Sequence, residues 1–114
     1  MTAKRTTTRL STVLLLGALF GAAFQAPALA DPIDHADPKH GKQLHDAACT
    51  SCHKRMYGGD ASAIYTQPGR MISDRTELLQ RVALCVSRNH LGWFPDDEAD
   101  VARYLNDTYY HFPR

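Results

Sequence analysis

Cys49-Thr50-Ser51-Cys52-His53 places two thiols two residues apart, with an imidazole directly after the second. In this C-x-x-C-H order each thiol can form a thioether to a porphyrin vinyl group, and the histidine can give one axial nitrogen to iron. This is the attachment signature of a c-type haem. One short segment would then tether the cofactor, one covalent haem c, at three points. A bare C-x-x-C also fits a zinc half-site or a redox disulfide. Zinc would need a second ligand pair, and Cys85 has no Cys or His partner at zinc spacing. A thioredoxin-like dithiol would need a βαβ context, and strand-like alternation is absent.

Cys85 is left over once haem takes two of the three cysteines. An odd cysteine in an exported chain implies a partner chain, a free thiol or a ligand. Its thiolate could bind iron as the distal ligand. Free cysteine is also a common buried small hydrophobe, so that reading stands beside ligation. His90 is the alternative distal ligand. Met71 and Met56 are weaker candidates, and Met56 follows His53 too closely to reach the other haem face. His35, His40, His45 and His111 read as ordinary solvated histidines.

The chain begins with a segment carrying Lys4, Arg5 and Arg9 and no acid, followed by an apolar run from Leu10 to Phe24. Ala28-Leu29-Ala30 then offers a small-x-small cleavage site. This is the order of a secretory signal peptide, residues 1–30, cut after Ala30. The run is short for a membrane span, which needs about 20 apolar residues. The expected location is the periplasm, with no membrane attachment after cleavage. Residues 31–114 carry ten Lys and Arg against twelve Asp and Glu, so 10 − 12 = −2, where the whole chain is +1. No basic patch points to nucleic acid. A mature chain of this length is one domain, near the size at which a hydrophobic core alone is marginal. A haem at its centre would supply the missing apolar mass.

The elements that must position these residues read as helices. Asp31 to Asp37 is polar and reads as a loose arm. Asp37-Pro38 reads as an N-cap with proline at the first helical position, opening a helix to about Ala48 that leads into the haem motif. Gly41, Leu44 and Ala48 are its expected inward residues. Residues 54–69 are rich in Gly, Ser, Asp and Pro and read as an irregular loop. Asp74 and Glu77 have capping-box form, with Ser73 a competing cap. Leu78, Val82, Cys85 and Val86 then make one apolar stripe, with Arg75, Arg81 and Arg88 on the other faces. Pro95 followed by Asp96, Asp97 and Glu98 starts the last helix. Its expected inner stripe is Val101, Leu105, Thr108 and Phe112. The fold class expected is all-α, a small cytochrome c fold of about four helices around one covalent haem, in a single domain over residues 31–114.

The pattern Gly41-x-x-Leu44-x-x-x-x-Cys49-x-x-Cys52-His53, with Asp97 to Leu105 at the other end, resembles class I c-type cytochromes over most of 37–105. The resemblance implies that the first and last helices cross closely, with Gly41 against Tyr104, and that His53 is the proximal iron ligand. The family usually places a distal methionine before the last helix. Here that segment is Asn89-His90-Leu91-Gly92-Trp93-Phe94-Pro95, which has none, so another residue or no residue completes the iron. More narrowly, Tyr57-Gly58-Gly59-Asp60, the cysteine on the third helix, Trp93-Phe94 and Tyr104 to Phe112 are similar to the small His/Cys-ligated NaxLS-type cytochrome c subunits. That resemblance implies Cys85 as distal ligand, a second cytochrome subunit as heterodimer partner, and binding of nitric oxide and carbon monoxide.

Two functions follow. A saturated low-spin iron would serve one-electron transfer with a redox partner protein, its potential set by the axial ligands. A thiolate that leaves the reduced iron would instead open a site for NO or CO, making a gas binder or sensor. Catalysis has the weakest support, since no acid/base constellation stands near the haem motif.

Overall fold

The computed structural model describes residues 29–114, and all but the last two residues of the expected signal peptide lie outside them. The described residues are helical and contain no strand, so the fold is all-α. Six α-helices follow in order: α1 (Pro32–His35), α2 (Pro38–Ala48), α3 (Thr50–Met56), α4 (Ala63–Thr66), α5 (Arg75–Arg88) and α6 (Pro95–Leu105). A π-helical segment, Asn106–Tyr110, continues α6. Two of the six, α1 and α4, are four-residue turns. The patterned helices correspond to α2, α5 and α6, whereas α1, α3 and α4 bring the number to six rather than the expected four or so.

The caps are where the side chains place them. Asp37 accepts from the Lys39 amide at 2.8 Å, and Pro38 takes the first helical position, whose amide would have no partner. Asp74 accepts from the Glu77 amide at 2.8 Å, while the Glu77 carboxylate reaches back to the Ser73 amide and hydroxyl at 2.9 Å. Ser73 and Asp74 therefore share the cap rather than compete for it. Asp97 accepts from the Phe94 amide at 2.9 Å, and three acids sit in the positive first turn of α6.

The helix pair α2 and α6 makes the most extensive contact in the fold. Gly41 is the reason. A Cβ built there would lie 1.9 Å from the Asp100 carbonyl oxygen and 2.8 Å from the Val101 amide nitrogen. Gly41 thus meets the backbone of α6 itself rather than the Tyr104 ring, which stacks beside His45 with centroids 5.2 Å apart. Asp100 ties the same crossing by accepting from the Asp37 amide at 2.6 Å and pairing with His40 Nδ1 at 2.8 Å.

The core joins Leu78, Val82 and Val86 of α5 to Val101, Ala102 and Leu105 of α6. Four expectations need correction. The arm 31–37 is not loose, because Ile33 is fully buried against this core in α1, whose N-cap is Asp31. Arg75 is not on an outer face. It is buried, with Nη2 donating to Asp34 Oδ1 at 2.7 Å, and Nε 3.0 Å from Asp31 in an ion pair too bent to count as a hydrogen bond. The loop 54–69 is interrupted by the end of α3 and by α4. Thr108 is exposed, and Tyr110 is buried in its stead. The physical reason is the π-helical register: the His111 amide donates to Asn106 O at 2.8 Å, an i→i+5 bond that rotates the tail away from the α-helical stripe. Buried Asn106 then closes the tail by accepting from the Phe112 amide at 2.9 Å.

Candidate haem site

Cys49 is the N-cap of α3, and Cys52 and His53 lie in its first turns. Residues three and four apart share one face of a helix, so the two thiols and the imidazole point the same way. They line one cavity of about 480 Å³, within the usual range of cofactor sites, about 300–1,000 Å³. Leu78, Val82, Cys85 and Val86 of α5 form a second wall, and Trp93, Leu105 and Tyr110 add further apolar surface. Arg70, Arg81 and Arg88 also reach the lining and bring positive charge to it.

The structure therefore brings Cys49, Cys52, His53 and Cys85 to the same cavity. Cys85 lines the cavity and is exposed. His90 is not among the lining residues. It follows the end of α5, is exposed, and has the left-handed backbone of a helix exit, φ 52°. Met56 and Met71 do border the cavity, and Met56 Sδ lies 3.9 Å from Cys52 Sγ.

The residues fit a porphyrin better than a metal ion held by protein alone. Among the described residues no three His, Cys, Asp or Glu side chains converge on a point. A tetrahedral structural zinc site needs four such donors. An iron within a porphyrin takes its equatorial nitrogens from the ring and asks the protein for only one or two more. The apolar walls would cover the ring faces. The arginines would answer acidic groups on the ring edge.

Around the proximal side the structure places groups that the linear pattern does not show. Tyr65, from α4, is buried, and its hydroxyl lies 2.9 Å from His53 Nδ1 and 2.9 Å from His45 Nε2. His45 Nδ1 in turn lies 3.2 Å from Asp46 Oδ1. His45 is only 4% exposed, so it is not the solvated histidine expected from its type. Arg70 fixes the loop that carries Tyr65: Nη1 donates to Tyr65 O at 2.5 Å, and the guanidinium carbon stands 4.6 Å from the Tyr110 ring centre.

Burial dominates the electrostatics here. It lowers the pKa of His45 and His53 below the ordinary imidazole range, with the Asp46 carboxylate opposing part of the shift at His45. Both rings are therefore neutral at pH 7, and a neutral imidazole is the form that can ligate a metal. Burial also pushes the Tyr65 phenol far above its usual range, and the Cys49 thiol up to about 11.

Of these residues, His45 had a readable signal: it stands four residues after Gly41, on the same helical face. Tyr65 had none, because it sits in a short turn flanked by Gly, Ser and Pro. A smaller hollow of about 280 Å³ is lined by Asp34, Arg75, Arg103 and Asp107, but by no cysteine. Its charges pair with one another, Arg75 with Asp34 and Arg103 with Asp107, both at 2.7 Å. Compared with family models, curated proteins and solved structures, the chain matches none.

Proposed function

We propose that the chain is an exported monohaem c-type cytochrome that transfers single electrons. The observation that carries this reading is the convergence of Cys49, Cys52, His53 and Cys85 on one largely apolar cavity of cofactor size. Cys49 and Cys52 would hold haem c through thioethers, His53 would be the proximal iron ligand and Cys85 the distal one. Haem, when bound, supplies one-electron exchange at iron, with the potential set by its axial ligands and their surroundings. The chain's own residues exclude water with the α5 and α6 side chains and hold His53 in place through Tyr65. A thiolate donor would put the potential well below that of a methionine-ligated site. The exported location in the periplasm and a redox partner protein belong to the same proposal.

A second reading has one observation in its favour. Cys85 lines the cavity and is exposed, so no packed core would hold its thiol on the iron. On reduction it could give way to NO or CO. A gas binder of this kind would fit a subunit paired with a second cytochrome in a heterodimer.

The test is direct. The processed product from a host with haem-attachment machinery is weighed, then its ferric spectra are recorded and carbon monoxide is added to the reduced form. One added haem mass, lost in Cys49→Ala with Cys52→Ala, supports the reading, and its absence refutes it. A low-spin thiolate signature lost in Cys85→Ala supports the distal assignment. Rapid carbon monoxide uptake favours the gas binder over the carrier.

A further inference from the structure

From the hydrogen-bond chain behind His53 we infer that Tyr65 and His45 are positioning residues that fix the proximal ring and set the reduction potential. The inference rests on the functional reading above, in that His53 is taken as the iron ligand.

The direction of every bond in the chain follows from valence. A neutral imidazole has one N–H and one lone pair. Nδ1 of His53 is 2.9 Å from the Tyr65 hydroxyl, and among the described residues nothing else bonds to the ring. If Nε2 offers its lone pair to iron, Nδ1 carries the proton and donates to Tyr65. The Tyr65 hydroxyl has one proton, which then goes to His45 Nε2 at 2.9 Å. His45 must accept there, so its own proton sits on Nδ1 and donates to Asp46 Oδ1 at 3.2 Å.

The opposite orientation fails at both ends. With the His45 proton on Nε2, its bare Nδ1 would face the Asp46 carboxylate, two acceptors with no proton between them. Running the other way, His45 Nε2 would donate to Tyr65 and Tyr65 to His53 Nδ1, which puts the His53 proton on Nε2 and leaves that atom no lone pair for iron. The low pKa that burial gives His45 agrees with the neutral ring this chain requires.

A chain of bonds running one way polarises each link, and this one ends on a carboxylate. Tyr65 is therefore a stronger acceptor than an isolated phenol. It draws the Nδ1 proton of His53 outward and makes Nε2 a better donor. Outer-shell partners of this kind commonly change metal affinity or activity by about 10–100-fold. The Tyr109 ring, 5.0 Å from Tyr65 by centroids, and the Tyr104 ring beside His45 keep the chain in place. Lys42 pairs with the far oxygen of Asp46, so the carboxylate is shared but stays charged.

The test uses the processed holoprotein and three variants: Tyr65→Phe, His45→Leu and His45→Gln. Covalent haem content is measured first, then the midpoint potential. Tyr65→Phe removes the acceptor and should favour the reduced form about tenfold, which is about 59 mV for one electron. His45→Leu should shift the potential the same way by less. His45→Gln, whose amide oxygen can still accept from Tyr65, should stay within about twofold of the parent, since the accepting partner is kept. A Tyr65→Phe potential within about twofold of the parent overturns the inference, being below the usual effect of such partners. Identical potentials for His45→Leu and His45→Gln overturn it too, and that pair decides alone if Tyr65→Phe does not mature. A parent without haem overturns the functional reading itself, whereas a haem-loaded parent with unmoved variants overturns only the chain behind His53.

Discussion

Replacing Gly41 with alanine tests the closest approach in the fold. Inside a helix the change alone should help, since alanine is favoured over glycine by about 1 kcal/mol. At position 41 the new methyl would stand 1.9 Å from the Asp100 carbonyl oxygen and 2.3 Å from its carbon, both backbone atoms that cannot rotate aside. Ordinary contact begins near 3.4 Å, so α2 and α6 must part by about 1.5 Å. Overpacking costs about 1–3 kcal/mol, and a clash with backbone belongs at the top of that range. The parting also strains the Asp37–Asp100 bond that spans the same helices. Net of the propensity gain, the loss is about 2 kcal/mol. For a domain of 60–100 residues that lowers Tm by about 8–16 °C. Thermal unfolding followed by far-UV circular dichroism measures it. A Gly41→Ala protein as stable as the parent, or more so, would refute the close crossing.

The remaining predictions concern α1, α5 and one surface pair. Ile33→Ala removes a fully buried side chain and should cost about 2–5 kcal/mol in denaturant unfolding, whereas a loose arm would show no change. Asp74→Ala should cost about 1 kcal/mol by loss of the α5 cap, with Asp74→Asn keeping most of it. His40 has its pKa raised, first by its hydrogen bond to Asp100, so its contribution is full below the unfolded value of 6.5 and fades as pH rises through the raised value. Denaturation midpoints measured from about pH 6 to pH 9 should fall in the parent and stay flatter in His40→Gln, and equal slopes would dismiss the pair.

The long helices were legible because their signals are local. Asp37-Pro38 and Asp74 with Glu77 mark starts through bonds made within one turn, and Leu78, Val82 and Val86 repeat at the helical period. What stayed hidden depends on contacts between distant segments. A single isoleucine between polar residues has no periodicity, so only its burial against α6 shows that 31–37 is anchored. The buried state of Arg75 depends on Asp31 and Asp34, some forty positions earlier. The spacing of the cysteines and His53 is what carries the proposed haem attachment. The partners that orient the imidazole have no such spacing, since Tyr65 is brought to it by a turn twelve residues on. The switch from Thr108 to Tyr110 follows from a helix type that hydrophobic period does not distinguish.

That change of helix type makes the end of the chain a matter of count as much as of composition. The segment Asn106–Tyr110 accommodates one residue more than an α-helical turn would, and Asn106 reaches Phe112 only because of it. Deleting one residue between these two would return the stretch to ordinary winding, swing the Tyr110 ring off the cavity wall and strand the Asn106 amide. Side-chain swaps on the outer face, as at Asp107 or Thr108, leave that arithmetic untouched. Divergent descendants of this chain should therefore vary freely in letters here while holding the spacing from Leu105 to Phe112 fixed.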